Sequence, residues 1–398
     1  MVSERAFKTE INPTAEQKKI IRQSLGVCRY LFNLFLFTNF ERLKQGKRKR
    51  IMSGFDFDKY VNNELSLEKP WIKKTCGAKA RKKAIMNADK AFREWFKGKK
   101  GKPKFKKKQN QEVGVYFPKN NKTDLIVKRH AIKVPTLKFV RLKEKGYIPT
   151  KAQVVNCVLK QKADRFFISV TVNIPDLDET AEHASQNESV LKTEGIGMDV
   201  GLKSFVVTSN NDKFANVNKT PKIKKEEKKL KRAQRALSRK LEHKKKRGEE
   251  SATDSGSNIN KNILRVQKIH FRLSQLRKTF REEVVDALVK TKPKYITTEK
   301  LNVKGMMRNR HLSKAIADSG FSSFKTRLLD TCRRVGIELR EVNLFYPSSK
   351  LCSCCGYKKK KLTLAERIFR CDNCSYENDR DLNAAINLKL ATEYTVLT

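Results

Sequence analysis

Alternating apolar and polar positions dominate the first half of the chain. In residues 166–174 the apolar side chains recur at every second position from Ile168 to Ile174, which predicts a strand with one buried face. Residues 4–11 alternate more weakly, and short apolar segments predict further strands at 114–117, 125–127, 131–134, 139–142 and 154–159. Together they predict a small antiparallel, barrel-like β-domain formed by residues 1–15 and 110–175.

A helical period replaces the alternation between the first strand and the others. One helix is predicted from about Glu16 to Leu43, with Thr14 as a candidate N-cap and Gln17 at capping-box spacing. A second is predicted over Gly77–Phe96, because its alanine and aromatic positions share one face. Residues 16–109 are therefore predicted to be a helical insertion in the β-domain.

The second half of the chain has the pattern of an α/β domain, formed by residues 193–348 and 377–398. Residues 195–208 predict a strand, a tight turn and a second strand, and residues 294–299 predict another short strand. A helix from about Ser322 leads to a further strand at 338–342. The acidic and polar segment 176–192 is predicted to be a linker between the two halves.

The charge of the chain indicates a class of function in addition to a fold. The chain carries 90 Lys and Arg against 42 Asp and Glu, a formal net charge of +48. Repulsion of that size favours folding around a polyanion, and nucleic acid is the expected partner. No apolar run is long enough to span a bilayer and no amphipathic anchor is visible, so a membrane partner is not expected.

Two segments concentrate the positive charge. Residues 97–108 contain eight lysines around Phe105, and residues 219–247 contain fifteen Lys and Arg against three Glu at helical spacing. The second segment opens a predicted basic helical hairpin over residues 220–290. A solvated linker or helix face is the simpler interpretation, but the one-sided sign favours phosphate contacts. The predicted nucleic-acid-binding residues are Lys99, Lys100, Lys102, Lys104, Lys106, Lys107, Lys228, Lys231, Arg232, Arg235 and Arg239.

Four of the nine cysteines form two matched pairs near the end of the chain. Cys352 and Cys355 are followed, after fifteen residues, by Cys371 and Cys374. This spacing predicts two knuckles that close one structural zinc site, a ribbon over residues 349–376. With thiolates in all four positions the ion has no open position for water. Cys354 departs from the pattern, which leaves the second ligand of the first knuckle open.

Cysteines in a metal-type cluster, and the lack of a signal-peptide pattern, predict a reducing setting. We therefore expect a cytoplasmic protein, associated with the nucleoid if the source is prokaryotic.

Three acidic residues occupy positions from which carboxylates can bind divalent metal ions. Asp199 lies in an apolar strand, Glu299 ends a strand, and Asp381 begins a helix; Asp379, two residues earlier, is a rival for the third position. Carboxylates of this kind bridge two Mg²⁺ ions in phosphoryl-transfer enzymes. The order Asp, Glu, Asp on a β-rich α/β pattern predicts an RNase H-like nuclease fold.

Several motifs in this order resemble those of the TnpB family, transposon-encoded RNA-guided nucleases related to compact type V CRISPR effectors. They include I-N-P-T-A-E-Q and G-K-P-K-F-K in the first half, and G-I-G-M-D-V-G-L and I-T-T-E-K-L-N-V-K-G-M in the second. The last is the cysteine module with N-D-R-D-L-N-A-A-I-N-L. The matches span nearly the whole chain and weaken in the acidic linker.

The resemblance implies a RuvC-like domain with catalytic Asp199, Glu299 and Asp381, two Mg²⁺ ions that Mn²⁺ can replace, and the zinc ribbon beside the site. It implies a guide RNA from the transposon end, held by residues 1–110 and the β-domain. It also implies a double-stranded DNA target beside a short flanking motif, with sequence specificity from base pairing. One centre would then cut both strands in turn.

Two other functions remain open at this point. A guide-directed DNA-binding regulator of transposon or host genes would have no physical need for three carboxylates facing phosphates. A strand transferase that moves the transposon would be expected to carry its own nucleophile or end-recognition fold, and the sequence shows no sign of either.

Overall fold

The computed structural model describes residues 2–46, 51–121, 123–175, 194–246, 257–363 and 365–397. By its contacts the chain divides into two compact units. The first contains the described residues up to 175 together with 257–268, and the second contains 194–246 and the residues from Ile269 onward. The predicted linker at 176–192 lies outside the described residues.

One antiparallel sheet organises the first unit. Its strands, in the order β2-β5-β6-β1-β4-β3, follow the predicted segments closely, and β1 pairs with β6 along nearly its whole length. In the described residues the edge strands β2 and β3 do not pair with each other, so closure into a barrel stays a prediction. The strands are β1 (Val2–Asn12), β2 (Gly114–Pro118), β3 (Ala131–Val134), β4 (Lys138–Leu142), β5 (Gln153–Lys162) and β6 (Arg165–Pro175).

The alternation of β6 is confirmed by burial, because Ile168, Val170 and Val172 are fully enclosed in the core of this unit. The strand predicted at 125–127 is wrong. Leu125 has a positive φ of 52°, which breaks an extended backbone, and only an isolated bridge between Val127 and Ile132 remains.

In the described residues between β1 and Phe96 the chain is mainly helical, as predicted. The capping box is present at the start of the first helix: Thr14 accepts from the Gln17 N–H, and the Gln17 side chain accepts from the Thr14 N–H. The apolar face of the long helix before the lysine-rich segment packs on this first helix, burying Ile85, Ala88 and Phe92. The helices are α1 (Ala15–Lys44), α2 (Gly54–Tyr60), a π-helical turn (Val61–Leu65), α3 (Ser66–Glu68), α4 (Trp71–Thr75) and α5 (Ala78–Phe96).

A mixed sheet organises the second unit, in the order β14-β11-β10-β7-β8-β9. Its centre is parallel: β10 pairs in parallel with both β7 and β11, while β8, β9 and β14 pair antiparallel. A separate two-stranded sheet joins β12 to β13. The strands are β7 (Ile196–Val200), β8 (Ser204–Thr208), β9 (Lys213–Ala215), β10 (Tyr295–Glu299), β11 (Glu338–Val342), β12 (Ile368–Arg370), β13 (Glu377–Asp379) and β14 (Thr395–Val396).

The predicted basic hairpin forms two long helices, α6 (Pro221–Lys246) and α7 (Ser257–Lys290). The apolar side chains of α6 are only partly buried, since Leu241 is 47% exposed, while Glu226 is buried beside Lys229. By contacts, residues 257–268 of α7 group with the first unit. The remaining helices are α8 (Val303–Met306), α9 (Ser313–Ser319), α10 (Phe321–Val335) and α11 (Arg380–Leu390).

Within the described residues, no helix combines the length and the apolar character that crossing a bilayer requires.

Candidate active site and metal centre

Asp199 and Glu299 end up side by side because of the register between β7 and β10. These parallel strands pair Thr297 with Gly197 and Thr298 with Met198. One further step along the same register brings Glu299 next to Asp199. Since side chains alternate along a strand, both carboxylates share the face of the sheet on which Gly197 lies.

Helix α11 lies directly on that face. A Cβ atom on Gly197 would come within 1.9 Å of the Ala385 carbonyl oxygen and 2.3 Å of the Lys389 nitrogen. Only glycine allows this approach, which is the physical role of the glycine before the strand aspartate. Asp381 precedes Ala385 by one helical turn and so lies on the same side of α11. The helix therefore brings Asp381 toward the sheet edge where Asp199 and Glu299 lie.

Burial and the two neighbouring acids act on Asp199. Burial, and then the negative charges of Glu299 and Asp381, raise the pKa of Asp199 to about 8. The guanidinium of Arg380 acts in the opposite direction. Burial also raises the pKa of Glu299. Such a group of acids is poorly stabilised as three anions, and a bound divalent cation would favour the charged forms.

The carboxylate oxygens are nevertheless not gathered into one tight cluster. Within the described residues, the four cysteines form the one group of potential ligands whose donor atoms all lie within 4.8 Å of one another.

Asp379, the rival for the third position, has a different role. Its Oδ1 accepts hydrogen bonds from the backbone N–H groups of Asp381 and Leu382 at 2.9 and 3.2 Å, so it is the N-cap of α11. Its Oδ2 pairs with Lys213 at 3.1 Å. Burial raises the pKa of Asp379, but the Lys213 and backbone hydrogen bonds outweigh it and lower that pKa overall.

Arg380, between these two aspartates, is a site residue that sequence reasoning missed. Its Nη1 donates to the carbonyl oxygens of Thr363 and Glu366 at 3.1 and 3.3 Å, and its Nε lies 3.9 Å from Asp381 Oδ1. It therefore links the cysteine-rich segment to the carboxylates. Its position between the two aspartates was the available signal.

The four paired cysteines converge as predicted by their spacing. The Sγ atoms of Cys352 and Cys374 are 3.6 Å apart, and so are those of Cys355 and Cys371. Four thiolates around a tetrahedral zinc at 2.3 Å would be about 3.8 Å apart. The donor set and its spacing therefore fit Zn²⁺. Cys354 is exposed and lies outside this cluster, which contains Cys355.

Both knuckles have the same backbone design. The N–H of Cys352 donates to the Tyr357 carbonyl at 2.9 Å, and the N–H of Cys371 donates to the Tyr376 carbonyl at 2.8 Å. The residue after each second cysteine has a positive φ, 73° at Gly356 and 56° at the matching serine. This local repetition explains why the cysteine spacing alone predicted the cluster.

The segment that leads into the ribbon is attached to α11 by two buried asparagines. Asn383 donates to the Leu351 carbonyl at 2.7 Å and accepts from the Ser353 N–H at 3.0 Å. Asn387, one turn later, donates to the carbonyls of Ser348 and Leu351 at 2.8 and 2.7 Å. This attachment was not predicted from the sequence, although two asparagines four residues apart on an apolar helix were the available signal.

The lysine-rich segment is more constrained than a free loop. Asn33 accepts from the Lys106 N–H at 2.7 Å and donates to its carbonyl at 3.0 Å. Lys100 pairs with Glu94 at 2.7 Å. Lys102 lies 4.8 Å above the ring of Phe40. Lys106 also pairs with a glutamate at 2.9 Å, whereas Lys99, Lys104 and Lys107 are exposed.

The predicted contact residues of α6 project into solvent. All five are exposed and make no ion pair with the part of the chain that the structure describes: Lys228, Lys231, Arg232, Arg235 and Arg239. Their role in nucleic-acid binding stays a prediction.

Comparison with known families agrees with this architecture. A family described as "Cas12f1-like, TNB domain" matches residues 321–388, and one described as "Probable transposase" matches residues 178–310. A third, a "Helix-turn-helix domain" family, matches residues 1–48. In the described part of that last segment the structure has one strand and one helix, β1 and α1.

Relatives cover nearly the full chain at low identity. A "Putative RNA-guided DNA endonuclease" of Streptomyces pristinaespiralis is 26% identical over 97% of this chain and 89% of its own length. The protein InsQ of Escherichia coli K12, with the same description, is 25% identical over 98% of this chain and 93% of its own. "TnpB-like protein L79" of a mimivirus is 34% identical over 31% of this chain and 24% of its own length.

A solved structure described as "Cryo-EM structure of the Cas12f1-sgRNA-target DNA complex" shares the fold. It aligns over 99% of this chain and 100% of its own with a TM-score of 0.56, at 15% identity. The chain therefore has a Cas12f1-like fold of mixed helices and sheets. Together with the family matches and relatives, this confirms the resemblance to the TnpB family.

Proposed function

We propose that this protein is an RNA-guided DNA endonuclease. A single RuvC-like centre, formed by Asp199, Glu299 and Asp381, would hydrolyse phosphodiester bonds in target DNA next to a short flanking motif. The observation that carries the proposal is the convergence of three carboxylates from two parallel strands and one helix. Burial, together with the negative charges of Glu299 and Asp381, raises the pKa of Asp199 to about 8. Relatives described as RNA-guided DNA endonucleases supply the substrate class.

The chemistry requires cations that the carboxylates would hold. Asp199, Glu299 and Asp381 would hold two Mg²⁺ ions, or Mn²⁺ in their place, which would supply an activated water and stabilisation of the leaving oxygen. Arg380 would hold Asp381 in place through the carbonyls of Thr363 and Glu366.

The cysteine cluster would hold one structural zinc, and the ribbon over residues 349–376 would guide nucleic acid to the centre. Its attachment to α11 through Asn383 and Asn387 supports that role, because α11 also carries Asp381. With four sulfur ligands the zinc would stabilise the fold and take no part in hydrolysis.

The partners would be a guide RNA from the transposon end and a double-stranded DNA target. Residues 1–15 and 110–175 would form the β-domain, 16–109 the recognition insertion, and 193–348 with 377–398 the nuclease domain. The exposed lysines and arginines of the lysine-rich segment and α6 would contact phosphates. Binding to DNA would associate the protein with the nucleoid in a prokaryotic cell.

The test is cleavage of a plasmid by protein co-expressed with the RNA encoded downstream of its reading frame. We expect RNA-dependent and Mg²⁺-dependent cutting, and no cutting by Asp199→Ala. Cutting that persists in Asp199→Ala would reject the assigned centre, and cutting without RNA would reject the guided mechanism. RNA-dependent DNA binding without any cleavage by the wild type would favour the regulator instead.

A further inference from the structure

A cavity of about 570 Å³ lies within the first unit, and its lining residues include none of the three carboxylates. Four segments of that unit form its walls: the middle of α1, the chain from Lys107 to Val113, the turn between β5 and β6, and residues 260–267 of α7. Its volume is in the range of pockets that hold a molecule the size of a nucleotide. A duplex would not enter a space of this size.

Hydrogen bonds between these segments hold the cavity open. The Gln111 side chain donates to the Ala163 carbonyl at 2.9 Å and accepts from the Ala163 N–H at 2.5 Å. Gln267 donates to the Gln109 carbonyl at 2.7 Å, and Lys268 pairs with Asp164 at 2.7 Å. The walls are therefore fixed before any ligand binds, which lowers the entropic cost of binding.

The charge of the lining is strongly positive. Four cations face the cavity, Arg22, Arg29, Lys107 and Lys108, against one carboxylate, Glu112, which Lys106 already pairs at 2.9 Å. Arg29 is half-buried, and burial lowers its pKa. It has no carboxylate within 4 Å in the described chain. A half-buried guanidinium without an acidic partner is costly unless an anion from outside completes the site.

The rest of the lining is apolar and suits the face of a base. Leu25, Val113, Ile263 and Leu264 contribute half-buried aliphatic surface beside the cations. A pocket that combines an aliphatic wall with unpaired cations matches a ligand with a flat apolar face and a phosphate.

We propose that this cavity binds one unpaired ribonucleotide of the RNA partner, with its phosphate on the cations and its base against the aliphatic wall. Unpaired, unstacked nucleotides are the usual targets of specific RNA recognition by proteins. The cavity would fix one position of the RNA on the first unit. This inference rests on the proposed function only in taking RNA as the partner.

The experiment compares Arg29→Gln with Lys19→Gln. Both remove one positive charge from α1, but Lys19 is exposed and does not line the cavity. The probe is the RNA that co-purifies with the protein, resynthesised with 4-thiouridine and bound without divalent cations. We expect Arg29→Gln to weaken binding by about tenfold or more. Lys19→Gln should weaken it by no more than about twofold. Crosslinks should map to peptides spanning residues 107–113 or 260–267 and be lost in Arg29→Gln.

Further variants and measurements distinguish the outcomes that would overturn the proposal. If Arg29→Gln melts below the wild type, Arg29→Lys and the double variant Lys107→Gln/Lys108→Gln replace it, with weaker loss expected for Arg29→Lys. Equal effects of Arg29→Gln and Lys19→Gln, or crosslinks confined to other peptides, would overturn the proposal while leaving RNA-guided cleavage intact. A mononucleotide that binds the wild type at micromolar concentration with no RNA crosslink in the cavity would assign it to a free nucleotide and overturn the RNA assignment. No RNA binding at all by the wild type would overturn the proposed function as well.

Discussion

The two sets of metal-ligating residue types in this protein are assembled in opposite ways. The four cysteines come from one short segment, residues 352–374, and their sulfur atoms already lie within 4.8 Å of one another. The three carboxylates come from residues 199, 299 and 381 and share a sheet edge, yet they are not drawn as close. One set is preassembled by local turns, whereas the other depends on the fold of the whole second unit.

The difference follows from charge. Thiols can be neutral and can accept N–H groups, and local turns in the two matched knuckles place the four sulfur atoms close together. Carboxylates repel one another, and the raised pKa of Asp199 expresses that repulsion together with burial. Three carboxylates that share one sheet edge therefore destabilise one another as anions, and a bound divalent cation would reduce that repulsion.

The largest expected effect is a difference in cleavage rate between variants of the two aspartates at the start of α11. We expect Asp381→Asn to reduce RNA-dependent cleavage about a thousandfold, because a carboxylate that holds the cations stabilises the transition state by several kcal/mol. Asp379→Asn is the matched control. An asparagine at the N-cap still accepts from the backbone N–H groups, so cleavage should stay within a few-fold of the wild type. Single-turnover plasmid cleavage gives both rates.

The reverse order of effects, with Asp379→Asn inactive and Asp381→Asn active, would exchange the roles of the two aspartates. Equal losses in both variants would indicate that the start of α11 matters through its structure.

The next effect concerns the ribbon. Cys371→Ser should release about one equivalent of zinc, measured by elemental analysis of purified protein, and should make the ribbon sensitive to proteolysis. Cys354→Ser is the control, because Cys354 is exposed and lies outside the cluster. We expect it to keep its zinc. Zinc loss in Cys354→Ser with retention in Cys371→Ser would contradict the four-sulfur assignment.

A smaller effect tests the contact through which Arg380 links the cysteine ribbon to the carboxylates. Arg380→Gln removes the guanidinium that bonds to the ribbon carbonyls and faces Asp381. We expect cleavage to fall by about tenfold, the cost of losing one or two hydrogen bonds to a charged group, with the zinc content unchanged. Arg370→Gln, at a mainly exposed ribbon arginine paired with Glu377, should have little effect. Unchanged cleavage in Arg380→Gln would show that the ribbon and the carboxylates are independent.

The smallest effect is one of stability. The pKa of Asp199, raised in the folded state to about 8 from an ordinary value of 3.8, means that the folded protein binds a proton more tightly than the unfolded chain does. Stability is then lost as pH rises from about 4 to 8. We expect Asp199→Asn to raise the melting temperature of metal-free protein by a few degrees at pH 8, and by much less at pH 5. Thermal denaturation at both pH values measures this.

Added Mg²⁺ should stabilise the wild type at pH 8 and leave Asp199→Asn nearly unchanged. A variant less stable than the wild type at pH 8 would contradict the repulsion on which the comparison rests.

Local patterns predicted much of the fold because each depends on a few neighbouring residues. The strand ending at Ile174, the capping box at Thr14 and the cysteine spacing were all readable without tertiary contacts. The strand predicted at 125–127 does not form because Leu125 has a left-handed backbone conformation, which the hydrophobic pattern does not encode. Arg380, Asn383 and Asn387 were not predicted as linking residues. They bond to backbone carbonyl groups of another segment, and such carbonyl groups have no sequence signature.

By itself the sequence determined which residue types were available and in what order: a basic chain, four paired cysteines, and acids ending strands or beginning a helix. Only the tertiary structure decided which of them meet. The register of β7 on β10 aligned Asp199 with Glu299, and the missing side chain at Gly197 let α11 carry Asp381 toward them. Contacts between residues about a hundred or more positions apart depend on the packing of a whole sheet, and no local pattern specifies that packing.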